Sequence, residues 1–486
     1  MVLLVLLFEC MALEAASTSR INETLKHSIK GRAETLPDDD NLLSDLCDAI
    51  ERGLKPEHVQ ELVNLLHVRA FGVPRTEKRR CVITGWGAVS PLGDGHNMWH
   101  NLLAGKTGLG RITLFDTTTF PFKMAGEVRG FDPNKYLGKR AVRVLSRIGQ
   151  FACSSYVMAR DDAGLRDENL ERSRVDVMLG SASPYYGDVQ QDFINSPSGW
   201  REYEPTLDPL IILRLFAQSQ ANAVSLIAKA NGYVATISTA CESSITAVGM
   251  AAQRIKDGYA DVVITGGGDC QLNLFLSRCL AVTDLYTKSL DPLAVCPYDV
   301  NSSRASPGEG YAVFILEELE HALERGAYIY CEVLRHAQNA DNKNVLYSMD
   351  KTGKSWGSVL GGACAGELPG CVVTHAPGDP EIDGTESRAL RIAFGSAVSE
   401  IPVTSIKGAV GSGMAAATAF QVATAAMILK KGIIPPTANL NQIDPMYRDM
   451  LIVKSKPLIK NVDSALVSGH GIAALNSALY LRRMNE

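Results

Sequence analysis

The pattern of apolar and polar residues divides the 486-residue chain into two regions of different texture. Residues 1–78 are largely polar, but two stretches repeat apolar residues at helical spacing. The first, NLLSDLCDAIERGL, places Leu42, Leu46 and Ile50 on one face; the second, KPEHVQELVNLLHV, has Pro56 in its first turn. We therefore expect an N-terminal helical extension, which either packs on the main body or docks a partner protein.

From Cys81 onward, short β-branched runs alternate with helices rich in small residues, which is typical of an α/β sheet buried on both faces. The first set of strand-like runs is RCVITGWGAVSPLG, VDVMLGSAS and ADVVITGGGD. The second set is IYCEVLRHA, GCVVTHAPG, VTSIKGAVGSG and SALVSGHGIAAL. Two successive α/β sets suggest an internally duplicated fold with halves at 79–325 and 326–486. We expect the join near Leu316–Tyr330, as a charged helix that leads into a strand.

Composition and charge exclude several function classes. The net charge of −5 provides no field to attract nucleic acid. The 11 cysteines show no C-x-x-C pair, so we expect neither a disulfide framework nor a metal site, and a reducing cytoplasm fits best. The apolar start MVLLVLLFECMALEA lacks a basic region, contains Glu9 and is too short to cross a bilayer, so neither a signal peptide nor a membrane anchor is expected.

Cys241 is the first candidate for chemistry. It follows the run VATISTA and precedes ESSITAVGMAAQRIKDG, whose Ile245, Val248 and Ile255 lie at helical spacing. A cysteine at a helix N-terminus is expected to have a lowered pKa, and the free backbone N–H groups there can hold a developing oxyanion. The alternative is a small core residue, which is the commoner role of a cysteine among alanines and serines.

The segment STACESSITAVGMAAQRIKDGYADVVITGGGD resembles the nucleophile segment of the β-ketoacyl-acyl carrier protein synthases. Further segments match that family in order over nearly all of residues 80–486. They are CVITGWGAVSPLG, CPYDVNSSRASPGEGYAVFILEELEHALERGA, THAPGDPEIDGTE, SIKGAVGSG with GIIPPTANL, and SALVSGHGIAALNSA. Ordered matches are far more specific than any single motif, and they favour Cys241 as a nucleophile.

The resemblance implies a thiolase-like fold, in which two βαβαβαββ halves form a five-layered α-β-α-β-α sandwich. It also implies two-stage chemistry. An acyl group moves from the phosphopantetheine arm of an acyl carrier protein, or from coenzyme A, to the cysteine; a malonyl unit then decarboxylates and its enolate attacks the acyl thioester. No cofactor is expected to be bound permanently. The expected partners are an acyl carrier protein and a second subunit, in a homodimer or in a heterodimer with another ketosynthase-like chain.

His375 occupies the position of the family's first histidine. The family signature H-G-T-G-T followed by D-x-x-E becomes HAPGDPEIDGTE, so Asp383 and Glu386 fall at the expected offsets while the turn itself is altered. The resemblance implies that His375 hydrogen-bonds a thioester or malonyl carbonyl, with the two carboxylates in a supporting network. A structural loop histidine is the alternative.

Lys407 matches the lysine of the family's K-x-x-x-G-H motif, but the chain reads KGAVGS, which places Ser412 where a second histidine is expected. The chain is thus identified as a divergent member with Cys-His-Ser in place of Cys-His-His. Losing one oxyanion donor typically costs on the order of 10²–10³ in rate. A serine hydroxyl can donate but is neutral and free to rotate, so loading of the cysteine should survive better than decarboxylation.

The last motif, SGHGIAALN, aligns with the family's S-F-G-F-G-G-T-N. Ile472 replaces the phenylalanine of the acyl gate, Gly471 is retained, and alanines at 473 and 474 replace glycines that normally let the loop move. A changed gate and a neutral repacking are both open. His470 lies beside this loop, and it or His336 could replace the missing histidine, although a structural role is expected for both.

Two further sites follow from the resemblance. Glu309 matches an acidic position of the family and is expected to position Lys407 and the backbone. The basic stretch Lys139–Arg147 could contact an acidic carrier protein, whereas such runs are more often solvated helix faces.

Three functions remain open on the sequence. The first is a ketosynthase-like acyltransferase that loads Cys241 and extends the acyl chain by decarboxylative Claisen condensation in polyketide or fatty acid biosynthesis. The second is acyl transfer to another nucleophile without elongation, because of Ser412. The third is a non-catalytic subunit like the chain-length factors that pair with ketosynthases, which usually lack the cysteine.

Overall fold

The computed structural model describes residues 79–171, 173–198, 201, 208, 210–341, 349–472 and 474–484. The helical extension expected over residues 1–78 lies outside these ranges. Arg80–Lys256 and Ala260–Glu486 form one compact unit. Within the described residues, no helix is both long and apolar enough to cross a membrane.

Each predicted β-branched run contains a strand, but in VTSIKGAVGSG only Val403 and Thr404 are in the strand, and Lys407–Val410 is a helix. Two long strands, Glu309–Glu318 and Leu475–Arg482, and several short ones were not predicted. In chain order the strands are β1 (Cys81–Ser90), β2 (Gly93–Asp94), β3 (Leu109–Arg111), β4 (Met124–Gly126), β5 (Val175–Gly180), β6 (Val234–Ile237), β7 (Val262–Cys270), β8 (Glu309–Glu318), β9 (Cys331–Ala340), β10 (Val372–Val373), β11 (Pro402–Thr404), β12 (Ile433–Ile434), β13 (Leu451–Ile452), β14 (Leu458–Ile459), β15 (Ser464–Gly471) and β16 (Leu475–Arg482).

Helices separate most of these strands. They are α1 (His96–Leu103), α2 (Lys139–Val144), α3 (Arg147–Asp162), α4 (Asp167–Glu171), α5 (Gly187–Asn195), α6 (Ile211–Leu215), α7 (Ser219–Ala228), α8 (Ser243–Lys256), α9 (Leu274–Ala281), α10 (Leu319–Glu324), α11 (Lys354–Cys364), α12 (Pro380–Phe394), α13 (Lys407–Val410) and α14 (Ala415–Lys431). Short 3-10 turns occupy Pro133–Lys135, Gly395–Ser399 and Pro445–Tyr447.

The sheet topology occurs twice. Strands in the first half follow the order β6-β5-β7-β8-β1, and those in the second follow β11-β10-β15-β16-β9, with β13 beside β11. In each half the two pairs nearest the outer edge are parallel and the other two are antiparallel. The halves join where β1 pairs with β9, at Val82 opposite Glu332 and Ile83 opposite Cys331. The duplication inferred from the repeated sequence pattern is confirmed.

The helices form three layers around the two sheets. On one outside face, α3 packs on β1 and β8, and α7 packs on β5 and β6. On the other, α11 packs on β9 and β16 and contacts α12. Between the sheets lie α8, which contacts β7 and β9, and α14, which contacts β8 and β15. This is the five-layered α-β-α-β-α arrangement of the thiolase-like fold, as predicted.

The small residues of the central helices follow from this position. Every residue of α14 from Ala415 to Leu429 is buried, as expected of a helix with a sheet on each side. At the start of α8, the backbone approaches β5 so closely that a Cβ on Gly180 would lie 2.5 Å from the carbonyl oxygen of Ser243. The glycine therefore lets the first turn of α8, and with it the preceding Cys241, settle against the sheet.

The join between the halves differs in one detail from the sequence-based expectation. A charged helix was predicted to begin near Leu316, but Leu316–Glu318 completes β8 and the helix α10 spans only Leu319–Glu324. The carboxylate of Glu317 is buried in the strand and pairs with Arg325 and His321. A glutamate with such partners is compatible with a buried strand, although it resembles a solvated helix position in the sequence.

Candidate active site

Cys241 lies in the tight connection between β6 and α8. The preceding residue, Ala240, has φ 58°, a left-handed conformation that costs on the order of 1 kcal/mol or more for a residue with a Cβ. The connection is held by Ser243, whose hydroxyl accepts the Thr239 N–H (2.9 Å) and donates to the Ala240 carbonyl (2.6 Å). Thr418 of α14 donates to the Cys241 carbonyl (2.8 Å). The turn is thus fixed from both sides and presents a partly accessible cysteine.

The pKa of Cys241 is raised above its ordinary value. Burial is the largest cause; the positive charge of Lys407 and a hydrogen bond from the Ile472 N–H act in the opposite direction. The prediction of a lowered pKa at this position is therefore wrong in sign, because the loss of solvation outweighs the stabilisation of the thiolate. Cys241 is a thiol at neutral pH and has to lose its proton during a reaction.

His375 follows β10 and lies on the wall of the same cavity as Cys241. Its Nδ1 accepts the backbone N–H of His470 (3.1 Å) and lies 2.9 Å from the Nζ of Lys407. A backbone N–H can only donate, so Nδ1 carries a lone pair and the neutral ring carries its proton on Nε2. Burial and the charge of Lys407 lower the pKa of His375 well below its ordinary value, so the ring is neutral.

Lys407 opens the short helix α13, and its side chain is buried. Burial lowers the pKa of its ammonium group to about 8, against the opposing effects of Cys241, Glu386 and Asp383. The amine therefore remains mostly protonated at neutral pH. It donates to the Nδ1 of His375 and holds that ring in one tautomer.

Asp383 and Glu386 lie on α12 and hold the backbone around His375. Glu386 accepts the N–H groups of His375 (2.9 Å) and Ala376 (2.7 Å) and the hydroxyl of Ser468 (2.6 Å). Asp383 accepts the N–H of Gly378 (3.2 Å). Burial raises the pKa of both carboxylates. They fix the altered turn but do not face the cavity.

The altered turn after His375 leads directly into the first turn of α12. Asp379 caps α12 by accepting the N–H groups of Glu381 (3.0 Å) and Ile382 (3.2 Å), and Pro380 occupies the first turn of the helix. Gly378 has φ 86°, which a glycine adopts readily. The Asp-Pro-Glu sequence therefore encodes a helix start, which the sequence comparison with the family motif did not reveal.

Ser412 lines the cavity that contains Cys241 and His375. Its backbone is fixed on both sides, since its N–H donates to the Ser306 carbonyl (2.7 Å) and its own carbonyl accepts the side-chain amide of Gln271. Within the described ranges, its hydroxyl group hydrogen-bonds no protein group. The hydroxyl is thus available to a bound substrate.

His470, Gly471 and Ile472 bring the end of β15 against Cys241. A Cβ on Gly471 would lie 3.1 Å from the Cβ of Ala240 and 3.5 Å from the Cys241 nitrogen, so this close approach favours glycine. The Ile472 side chain lines the cavity and is 43% exposed. His470 also lines the cavity, with 7% of its surface exposed. The His470 side chain therefore reaches the cavity, which is the less favoured of the two alternatives that the sequence left open.

Two sequence-based assignments fall outside the cavity. Glu309 does not contact Lys407: its buried carboxylate pairs with Arg147 at the start of α3 (2.5 Å) and accepts the Val128 N–H (3.1 Å). The role predicted for it in positioning Lys407 is therefore wrong. His336 lies on β9 and contacts the Ser477 hydroxyl (3.1 Å), and burial lowers its pKa to about 4.

Residues that sequence reasoning did not identify connect the site to the scaffold. Gln421 in α14 donates to the carbonyls of Thr374 (2.8 Å) and Ser468 (2.9 Å), and so ties together the two strand ends that carry the histidines. Asp269 accepts the N–H of Ala415 (2.9 Å) at the start of α14, and burial raises its pKa to about 7. Both Gln421 and Asp269 are polar residues within otherwise apolar segments, and this was the signal in the sequence that could have identified them.

The cavity has a volume of about 1070 Å³, enough for a ligand of considerable size. Its wall contains the candidate chemical groups together with apolar side chains. Those groups are Cys241, His375, Ser412, His470, Gly471 and Ile472. The fold and this site therefore define a thiolase-like protein with a cysteine and two histidines on one cavity.

Comparison with known proteins identifies the family. Residues 78–322 match the model of the β-ketoacyl synthase N-terminal domain, and residues 330–441 match that of its C-terminal domain. The 3-oxoacyl-(acyl-carrier-protein) synthase 2 of Coxiella burnetii is 31% identical over 420 residues, or 84% of this chain and 99% of that protein. The tetracenomycin polyketide synthase ketoacyl synthase alpha subunit of Streptomyces glaucescens is 30% identical over 85% of this chain and 99% of its own length.

A solved structure agrees. The ishigamide ketosynthase/chain length factor superposes with a TM-score of 0.76 at 26% identity, covering 84% of this chain and 100% of that chain. The chain described here belongs to the β-ketoacyl synthase family.

Proposed function

We propose that this protein takes an acyl chain from an acyl carrier protein onto Cys241 and extends it by decarboxylative condensation with a malonyl-carrier unit. The observation that carries the proposal is the tautomer of His375: with Nδ1 occupied by two donors, the neutral ring presents its Nε2–H on the cavity shared with Cys241. A fixed neutral donor is suited to hold a thioester or enolate oxygen.

In the first stage the sulfur of Cys241 attacks the acyl thioester. The new C–S bond forms as the bond to the carrier sulfur breaks, and the proton of Cys241 ends on the departing carrier thiol. The Ile472 N–H, which hydrogen-bonds the sulfur, is a backbone donor available to the developing oxyanion.

In the second stage the malonyl unit loses carbon dioxide, and the resulting enolate attacks the acyl-Cys241 carbonyl. The C–C bond forms, the bond to Cys241 breaks, and the thiolate takes a proton from solvent. The Nε2–H of His375 stabilises the enolate oxygen, while Lys407 keeps that histidine neutral and oriented and Glu386 holds its backbone. Ser412 supplies the second donor in place of the family histidine.

The setting follows from this chemistry. The substrate arrives on the phosphopantetheine arm of a carrier protein or on coenzyme A, and Ile472 forms part of the acyl gate. The same proposal has four further parts. The catalytic body divides into halves at 79–325 and 326–486, and residues 1–78 dock a partner. The protein pairs with a second ketosynthase-like chain and works in a reducing cytoplasm. In α2, Lys139, Arg140 and Arg143 are exposed and could meet an acidic carrier.

The test is a two-step mass-spectrometric experiment. The full-length protein is incubated with acyl-carrier thioester, and peptide mapping then looks for an acyl adduct on Cys241, with a Cys241→Ser variant as the control. Malonyl carrier is added next. An adduct followed by carbon dioxide and a ketide two carbons longer is the expected result. Absence of any adduct contradicts the proposal and supports a partner subunit like the chain-length factors.

Ser412 favours a second function, acyl transfer without elongation, because a hydroxyl replaces a histidine among the donors. In that case the adduct forms but no carbon dioxide is released. A Ser412→His variant tests whether the missing histidine is what prevents decarboxylation. We expect this variant to raise the rate of malonyl decarboxylation by at least tenfold, while the rate of loading changes little. An unchanged decarboxylation rate in this variant would show that Ser412 does not limit that step.

A further inference from the structure

The tautomer of His470 is determined by a chain of hydrogen bonds that ends at a carboxylate. The side-chain amide of Asn476 donates to Asp341 (2.6 Å) and to the side-chain oxygen of Asn339 (3.0 Å). A carboxylate accepts only, so these contacts fix which end of the Asn476 amide is the oxygen. That oxygen lies 2.8 Å from the Nδ1 of His470. Nδ1 must therefore be the donor, and the neutral ring carries a lone pair on Nε2.

The His470 ring is held firmly in this orientation. It stacks on the indole of Trp356, with ring centroids 4.8 Å apart and an angle of 22° between the planes. The indole N–H donates to Ser468 (3.1 Å). Asp341 is anchored as well, because it accepts the Asp350 N–H (2.7 Å) and its own N–H donates to the Ala474 carbonyl (2.9 Å). The lone pair of His470 thus has a fixed direction.

The Nε2 of His470 hydrogen-bonds no protein group in the described part of the chain, although the side chain is more than nine-tenths buried on the cavity wall. The strand end that carries it lies against the cysteine: the Ile472 N–H reaches the sulfur of Cys241, and Gly471 approaches the Cys241 nitrogen. An unpartnered acceptor therefore lines the cavity beside a thiol that must lose its proton.

Three other groups near Cys241 are poorly suited to take this proton, and the carboxylates of Asp269 and Glu242, which also act on its pKa, are occupied by other donors. His375 presents an N–H on Nε2, and its Nδ1 is occupied. Lys407 is mostly protonated at neutral pH and donates to His375. Ser412 has only a weakly basic hydroxyl.

We propose that His470 is the proton acceptor of this site: its Nε2 takes the proton of Cys241 as the sulfur attacks the acyl thioester, and returns it to the departing carrier thiolate. The S–C bond to Cys241 forms, the C–S bond to the carrier breaks, and the proton passes through His470 without net consumption. The inference rests on the proposed loading reaction. It gives the two histidines opposite functions, with His375 as the donor to oxygen and His470 as the acceptor from sulfur.

The surroundings of His470 suit this role. Burial and the charge of Lys407 lower its pKa, and Asn476 and Asp341 raise it, with burial the largest cause. The group is consequently neutral at pH 7 and can accept a proton. The other titratable groups packed around it are His375, Glu386, which shares Ser468 with the Trp356 indole, and Cys241.

The test measures the rate of Cys241 acylation by hexanoyl-coenzyme A and by the hexanoyl carrier thioester from pH 5 to 10, in full-length protein. In the native protein we expect a rate that changes little between about pH 6.5 and 7.5, below the pKa of about 8 at which Lys407 loses its charge. His470→Phe keeps a ring on Trp356 but removes the acceptor, and should slow acylation at pH 7 by about 10²-fold. Its rate should then rise tenfold per pH unit, because the variant depends on the thiolate of a cysteine with a raised pKa.

Chemical rescue separates a chemical from a structural role. Acylation of a His470→Ala variant should recover as imidazole is added. In Asn476→Leu the histidine remains but its Nδ1 loses its hydrogen-bond acceptor, so the rate of acylation should fall about tenfold. His336→Gln, at a half-buried histidine outside the cavity, should keep the native pH profile. The inference is overturned if His470→Phe acylates within twofold of the native rate with the same profile, or if folded His470→Ala is not rescued.

The outcomes also separate this inference from the proposed function. If the native protein forms no adduct with either thioester, the proposed loading reaction fails and the role of His470 fails with it. If the native protein is acylated and His470→Phe is acylated equally well, only the role of His470 is wrong. Condensation with malonyl carrier, measured from a preformed adduct, should be slowed less by His470→Phe than loading is.

Discussion

At the scale of single residues, the positive charge of Lys407 acts on two neighbours at once. Its ammonium group donates to His375 and lowers the pKa of Cys241, yet it lies in the protein interior. Burying a charge destabilises the fold, so the protein is expected to be less stable with Lys407 than with an apolar side chain at this position.

We predict that Lys407→Met makes Cys241 less reactive and the protein more stable. Without the nearby charge, alkylation of Cys241 by iodoacetamide at pH 8 should slow on the order of tenfold, as measured by peptide mapping. Lys454→Met, at an exposed lysine, should alkylate like the native protein. An unchanged alkylation rate in Lys407→Met would mean that the lysine charge does not reach the sulfur.

The stability of the same variant depends on pH in a defined direction. The folded pKa of Lys407 is about 8, below the ordinary 10.5, so the unfolded chain binds more protons between these values and the stability of the native protein rises with pH there. The advantage of Lys407→Met should be largest below pH 8 and should shrink by at most about 3 kcal/mol as the pH rises to 10.5. Urea unfolding at several pH values measures this difference.

At the scale of elements, the predicted β-branched runs contain strands β1, β5, β7, β9, β10, β11 and β15, because strands in a sheet that is covered on both faces are rich in apolar residues. Other elements were not predictable in this way. The strand β8 ends in glutamates and resembles the start of a helix, whereas β16 follows the glycine motif without a turn signal. Their identity depends on partners elsewhere in the sheet.

The close contact between α8 and the sheet yields a prediction about Gly180. A Cβ added there would lie 2.5 Å from the backbone of Ser243, which cannot move without displacing the turn that carries Cys241. Gly180→Ala should therefore lower the free energy of unfolding by about 1–3 kcal/mol and slow acylation of Cys241. Denaturant unfolding and adduct formation are the two measurements.

The matched control is Gly361→Ala in the helix α11. Nothing lies within 4 Å of a Cβ at Gly361, so alanine should stabilise that helix by about 1 kcal/mol and leave acylation unchanged. If Gly180→Ala were as stable and as active as the native protein, the first turn of α8 would not depend on the close approach.

At the scale of the whole molecule, the candidate site combines parts from both halves of the duplicated fold. The motif positions of Cys241, His375 and Lys407 could be matched from the sequence, since each lies in a continuous segment similar to the family. The partners of Glu309 and His470 could not, because they depend on long-range packing: Arg147 is distant from Glu309 in the chain, and Asp341 reaches His470 only through the register of β9 and β16.

The Arg147–Glu309 pair provides a prediction for the stability of the whole fold. The pair connects the outer helix α3 to β8, with the carboxylate fully buried and the guanidinium 26% exposed. Removing the cation leaves an uncompensated buried carboxylate, so Arg147→Met should lower the free energy of unfolding by about 3 kcal/mol at pH 8. Arg166→Met, at an arginine that is 80% exposed, should change it by less than about 0.5 kcal/mol.

The pH dependence identifies the cause of that loss. Burial already raises the pKa of Glu309, while Arg147 lowers it, so the variant should raise that pKa further. A carboxyl with a raised folded pKa binds protons that the unfolded chain releases, so the stability falls as the pH rises through that value. The deficit of Arg147→Met should consequently be smaller at pH 5 than at pH 8, and adding Glu309→Gln should recover part of it. A deficit independent of pH would assign the loss to packing of the arginine on Phe151 instead.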